Sequence, residues 1–344
     1  MATVDMLDFS AAPRLVLEAT LVPIAGERFQ PTGFPNLGAA EFVTPDRRQH
    51  VLVESPQSIA NRLEATVWDD DARDLVALLS GLPYVRTVVD GVATDSIREA
   101  HRLNSPFLRG ILEPLRARAE IRVTTKGKKA VKNAPSTDDS DAAAVVEEST
   151  SVDVRKLAAA VFAYDPNSVL HGVFLTNLVG LARLTRMIGG FIEAHDVRLV
   201  ASGGVKNDRL DPSGKRYKTE AGKGGAEAGF GNVPFARSEY TASTILGSFS
   251  IDLALLRSYG LPKSAQRLLV ALGLWKIARF LATGLRLRTA CDLEVTGDVR
   301  VRRPNAATLP SLEDLEMLLP SLIEACRREG LFVDPAVTEV AFPA

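Results

Sequence analysis

The chain has 344 residues, is 46% hydrophobic and carries a formal net charge of −1. That composition allows one large domain or two ordinary ones and excludes a globally basic nucleic-acid binder, so any polyanion site must be a local patch. The two cysteines, Cys291 and Cys326, fit neither a CxxC pair nor a zinc spacing, which makes a reduced, cytoplasmic chain the default expectation.

Asp5 and Asp8 come early and no basic start precedes an apolar run, so no signal peptide is expected. Arg14 to Val22 alternates apolar and polar residues and reads as a strand, ended by Pro23 and Gly26. Residues 26–50, with Phe29-Gln-Pro-Thr-Gly-Phe-Pro-Asn36, read as a specific loop insertion. Ser55-Pro56 opens a helix, Ser55 as cap and Pro56 at the first position. A second helix is expected over Asp70 to Leu79, then a strand over Tyr84 to Val89 and a turn at Asp90-Gly91. Residues 124–152 set lysines against a later run of Asp and Glu, have almost nothing to build a core with, and read as a disordered or flexible insertion.

Val154 to Phe162 reads as a helix and Ser168 to Leu175 as a strand holding His171. Thr176 to His195 reads as a helix, with Leu181, Leu184, Ile188, Phe191 and Ile192 on one face and Arg183 and Arg186 off it. Val197 to Ala201 leads, as a short strand, into a basic, glycine-rich stretch over 203–240, and Tyr240 to Leu253 returns as a strand. So long a loop is either functional or disordered. Its cations Lys206, Arg209, Lys215 and Arg216, with Asn207, suit a projection that wraps a polyanion. Helices are expected over Ser264 to Ala282 and Ser311 to Glu329, the latter with a capping-box start at Ser311 and Asp314, and strands over Leu285 to Glu294 and Thr338 to Phe342. The most apolar stretch, Leu268 to Leu281, is broken by Lys276 and Arg279 and reads as a buried helix, not a membrane span. The irregular alternation points to an α+β sheet with helices on one face.

Two sites stand out. Gln57, Ser58, Asn61 and Arg62 cluster where a helix begins, which suits either phosphate and sugar contacts or a solvated helix face. Arg286 and Arg288 share one face of a strand and suit either bidentate phosphate contacts or ion pairing with nearby carboxylates. No residue set has the spacing of a P-loop, a nucleophile elbow or a metal-binding helix. Asp208 and Asp211 could assist metal-dependent phosphodiester cleavage, or could simply be turn residues.

Several blocks then run in order along the chain: Arg14-Leu-Val-Leu-Glu-Ala-Thr-Leu21, Leu52-Val-Glu-Ser-Pro-Gln-Ser-Ile-Ala-Asn-Arg-Leu-Glu64, His101-Arg-Leu-Asn-Ser-Pro106, Asp165-Pro-Asn-Ser-Val-Leu-His-Gly-Val-Phe174, Ser202-Gly-Gly-Val-Lys-Asn-Asp208, Gly229-Phe-Gly-Asn-Val-Pro-Phe235 and Gly284-Leu-Arg-Leu-Arg-Thr-Ala-Cys-Asp-Leu293. With the 29–36 block they resemble the backbone subunit of the type I-U (also called I-G) CRISPR Cascade complex, a RAMP protein of the Cas-seven class. The resemblance implies one RRM-like (ferredoxin-like) palm over 1–344, with large insertions that include a β-hairpin thumb at 203–240. It implies a non-catalytic subunit that needs no cofactor or metal and polymerises head to tail along CRISPR guide RNA. Implied RNA contacts are Gln57, Ser58, Asn61, Arg62, Arg183, Arg186, Lys206, Asn207, Arg209, Lys215, Arg216, Arg286 and Arg288. Implied partners are crRNA, the target DNA strand paired to it, further copies of the chain, a repeat-processing and end-capping subunit, a large subunit and a recruited helicase-nuclease. The competing expectations are a metal-dependent RNA-cleaving relative using Asp208 or Asp211, and a nucleotide-binding enzyme using the glycine segment. The sequence shows no aromatic RNP-type sheet motif.

Overall fold

The computed structural model describes residues 7, 9, 11–34, 36–125, 148–178, 182–206, 233–283, 285–305 and 307–342. Its organising element is an antiparallel sheet. The strands and helices that build the site are β1 (Arg14–Pro23), β2 (Gln49–Glu54), α1 (Pro56–Ala65), β3 (Ile188–His195), β4 (Thr244–Asp252), α2 (Lys263–Ala282), β5 (Leu285–Arg288), β6 (Cys291–Val295) and β7 (Arg300–Arg303). The strands lie in the order β5–β6–β1–β4–β3–β2, with Glu41–Val43 beyond β2 and β7 also paired to β1. Within this sheet, β6–β1–β4–β3 is a 4-1-3-2 order of four strands, with α1 between the first and second and α2 between the third and fourth.

Alternation decides which face is which. Leu15, Leu17, Ala19 and Leu21 of β1 are buried, as are Ile245, Phe249 and Ile251 of β4. Full burial of each large apolar side chain contributes about 1.5–3 kcal/mol. The helices cover this face. A Cβ on Gly190 would meet Ile59 of α1, and one on Gly273 of α2 would meet Ile251. The opposite face of β1, β4 and β3 is half-buried or exposed.

The sheet curls until its two sides approach. Ile24 and Gln30 donate backbone bonds to Asp292 (2.9 Å) and Ala290 (2.7 Å), and Thr32 donates to Val53 (3.1 Å). The start of the 26–50 segment is thus a strap between β6 and β2. It is also tied to the base of the 203–240 excursion, since Phe29 and Tyr240 exchange two backbone bonds of 2.9 Å. That base is a ladder of Arg198–Lys206 against Val233–Thr241, separate from the main sheet. The rest of the expected thumb, 207–232, lies outside the described residues, as does 126–147 of the expected flexible insertion. Arg122–Thr125 pairs with Glu148–Ser151 at the insertion's foot.

Several local expectations are met. Ser55 accepts from the Ser58 amide at 3.2 Å and Pro56 opens α1. The helix Leu312–Arg328 has its Ser311–Asp314 capping box. Others are corrected. The expected helix over Thr176–His195 contains instead the short strand Arg183–Leu184 and β3. Gly189 and Gly190 disfavour a helix, and β3 buries every second residue between β4 and β2. The expected strand over Ser168–Leu175 begins in the helix Pro166–His171, because Asp165 caps the Asn167 and Ser168 amides and Pro166 fits the first turn. The expected helix over Asp70–Leu79 is a turn built on Asp69, which accepts from the Asp71 and Ala72 amides, followed by a 3₁₀ turn at Ala77–Leu79. Tyr240–Leu253 and Leu285–Glu294 are each two strands, not one. In the second, Ala290 takes a positive φ of 57° where the chain turns.

Gly172 ends Pro166–His171 at φ 79°, ψ 151°, a conformation open essentially to glycine alone. A Cβ there would lie 2.6 Å from the Arg186 nitrogen. Gly172→Ala is expected to cost about 2 kcal/mol, seen as a lower denaturant midpoint. An unchanged midpoint would show that this turn relaxes freely.

Candidate nucleic-acid interface

The first turn of α1 gathers residues from four distant parts of the chain. Glu54 ends β2 and is 2% exposed on its side chain. Its carboxylate accepts from Ser58, from Arg62 Nε at 3.3 Å and from Arg288. Arg62 also donates to the Leu287 carbonyl at 2.6 Å and the Arg286 carbonyl at 3.5 Å, and Arg288 to the Gln30 carbonyl at 3.1 Å. The two guanidiniums therefore staple β5, the strap and α1 around one buried carboxylate. Burial pulls both below the ordinary arginine value. Of the two readings of Arg286 and Arg288, ion pairing holds for Arg288. Arg286 is exposed, and its side chain has no partner among the described residues.

On the adjoining side of α1, the exposed Gln57 and Asn61 and the half-buried Arg186 form a polar chain. Arg186 donates to Gln57 at 3.0 Å, and Gln57 donates to Asn61 at 3.2 Å. Arg186 Nε also bonds the His171 carbonyl at 3.4 Å, which fixes the arginine against the Pro166–His171 helix. The sequence-predicted residues Gln57, Ser58, Asn61, Arg62, Arg186, Arg286 and Arg288 thus converge. Arg183 is exposed on its own short strand and has no hydrogen bond to this group. Lys206 closes the described part of the ladder at the base of the excursion. Asn207, Arg209, Lys215 and Arg216 lie outside the described residues, as do Asp208 and Asp211.

Arg186 also borders a trough on the uncovered face of the sheet, continuous with Pro56. Arg14, Gly189, Phe191, Ser248 and Ser250 share its lining. None of these five is among the residues expected from sequence. The overlooked signal was the alternation in Ile188-Gly-Gly-Phe-Ile-Glu-Ala-His195, whose even-spaced members face outward once the segment is a strand. His171, unremarkable in sequence, is buried with Lys276 Nζ 3.0 Å from its Nε2. Among the described residues, no group of three or more His, Cys, Asp or Glu is placed to hold a metal, and no helix is long and apolar enough to cross a membrane.

Fold and site together define an α+β protein whose antiparallel sheet is helix-covered on one face and borders a guanidinium- and amide-rich cluster at a helix start. The sequence model of one family, CRISPR-associated protein GSU0053, matches residues 15–199, more than half of the chain. The chain belongs to this family. No curated protein matches it. Among solved structures, it is similar to a chain of a CRISPR RNA-guided surveillance complex, pre-nicking, at 13% identity, covering 92% of this chain and 89% of that one with a TM-score of 0.39. It is also similar to Csc2 of Thermofilum pendens, at 12% identity, covering 96% and 81% with a TM-score of 0.29.

Proposed function

We propose that this chain is the guide-RNA-binding backbone subunit of a type I-U (I-G) Cascade effector. Copies polymerise head to tail along crRNA, each gripping a short segment by its backbone and leaving bases free to pair with target DNA. The observation that carries the reading is the convergence of Gln57, Asn61 and Arg186 at the start of α1, with exposed Arg286 across the Arg62–Arg286 bond. Amides and guanidiniums at a helix start suit phosphate and ribose, which carry no sequence information. Membership of a CRISPR-associated family supports the setting. The 4-1-3-2 strand order supports the RRM-like, ferredoxin-like palm. The ladder Arg198–Lys206 with Val233–Thr241 supports a hairpin thumb rooted on that palm.

A head-to-tail filament needs two different surfaces on each copy. The 26–50 segment and the thumb are the proposed pair, and the Phe29–Tyr240 bonds couple them within one copy. The other partners in this reading are the repeat-processing and end-capping subunit, the large subunit and a helicase-nuclease, which performs the cutting that this subunit does not.

Binding of two unrelated guide transcripts by the full chain at several salt concentrations tests the proposal. Equal affinities that fall steeply with salt are expected. A strong preference for one transcript, or indifference to salt, would sink it. Arg286→Ala is expected to lower the salt slope by about 0.7, the share of one phosphate on a single strand. Arg288→Ala should act mainly on stability, because its guanidinium is committed to Glu54 and Gln30.

A further inference from the structure

We infer that the trough on the uncovered sheet face is a stacking site for one nucleobase of single-stranded RNA, with Phe191 as its aromatic wall and Gly189 as its floor. The inference rests on the guide-binding reading above and adds to it a place where a base, not the backbone, is held.

Register puts the parts together. Phe191 stands opposite Ser248 and Gly189 opposite Ser250, so all four share the uncovered face. Phe191 is half-buried and does not belong to the packed core on the other side of the sheet. A Cβ built on Gly189 meets nothing within 4 Å, which makes this the open spot beside the ring. Ring and opening are two residues apart on one strand, about 7 Å. The hydroxyls of Ser248 and Ser250 have no hydrogen-bond partner among the described residues and stand ready for a base edge or a ribose.

Charge at the trough's rim favours a nucleotide over an apolar guest. Arg186 and Arg14 both line it. Arg186 carries the polar chain from α1 to the trough, so a strand held by phosphate at Gln57 and Asn61 can drop one base onto the sheet without changing course. The same face also holds carboxylates. Arg14 offsets Asp252 at 3.4 Å, and Arg302 offsets Glu18 at 3.4 Å. A flat π-face against an aromatic ring accepts any base, so the site imposes no sequence on the guide. That is compatible with a subunit that must hold every guide.

The test uses the full chain and a 12-nucleotide single-stranded RNA. Phe191→Ala is expected to weaken binding about 5- to 150-fold, the range for one lost base stack, while leaving the salt slope unchanged because no phosphate contact is lost. Gly189→Leu should weaken it comparably by filling the trough, at a position where a Cβ meets nothing within 4 Å. Circular dichroism and thermal melting of both variants should match the parent. A 5-iodouridine-substituted RNA should crosslink to Phe191 on irradiation. If both variants bind as the parent does and the crosslink falls elsewhere, the stacking site is wrong while the guide-binding reading stands. If the parent chain itself ignores the RNA, both fall. A loss of binding by Phe191→Ala alone, with Gly189→Leu normal, would also overturn the trough as the place where the base lies.

Discussion

Glu54→Ala should lower folding stability by about 3 kcal/mol. The carboxylate it removes is 2% exposed and is the common acceptor of Arg62, Arg288 and Ser58. Without it, two guanidiniums that are only 30% and 23% exposed lose their counterion. A buried pair broken on one side costs more than the pair ever contributed, because the remaining charge stays desolvated. The effect should be largest where the molecule is stapled, because these side chains tie α1 to β5 and β5 to the strap. A chemical denaturation series reads it directly, and a cycle of Glu54→Ala with Arg288→Ala should show coupling of about 1–3 kcal/mol. A midpoint within error of the parent would mean the curl of the sheet does not depend on this carboxylate.

A second large effect has the opposite sign. Lys276→Met combined with His171→Leu is expected to stabilise the fold by about 3 kcal/mol at pH 6.5. Lys276 lies in α2 at 0% exposure, and its Nζ–H donates to His171 Nε2 at 3.0 Å. Burial drives Lys276 from 10.5 down to about 7, with Arg102 adding to the fall and Glu64 and Asp165 opposing it. Burial also pushes His171 well below its ordinary value, with Lys276, Arg102 and Arg186 contributing, so the imidazole is neutral. Its Nδ1 is buried with no hydrogen-bond partner. Removing only one partner would orphan the other, which is why the double exchange is the informative one.

The pH dependence follows from the same shift. In the unfolded chain the lysine keeps its proton up to about pH 10.5, whereas in the fold it releases it near 7. Between those values the unfolded chain binds more protons, so the parent gains stability as pH rises through this window. Below 7 the penalty is at its full size. The advantage of the double variant should therefore be greatest at pH 6.5 and shrink by pH 9.5, measured as the difference in denaturant midpoints. An advantage that stays constant from pH 6.5 to 9.5 would show that Lys276 does not change protonation between the two states.

These two clusters also show how far local sequence reaches. The cap at Ser55 and Pro56, the capping box at Ser311 and Asp314, and the alternation of Arg14 to Val22 are short-range chemistry, and the folded chain keeps all three. So do the blocks from residue 14 onward that resemble a CRISPR backbone subunit, because a family is written in local residue order. Gln57, Ser58, Asn61 and Arg62 were legible as a group for the same reason: they occupy one turn and a half of one helix.

Tertiary structure decided the rest. Residues 188–195 carry apolar side chains at spacings that satisfy a helix as well as a strand, and only the hydrogen-bond partners offered by β4 and β2 settle the period at two. That choice turned Phe191 from an expected core residue into the wall of a surface trough, and set Arg186 beside Gln57 across 129 positions. The pairing of Arg288 with Glu54 across 234 positions likewise depends on the curl of the sheet. Local sequence states what each residue prefers. Which charge finds which partner is set by long-range register and burial, and those exist only once the chain has closed on itself.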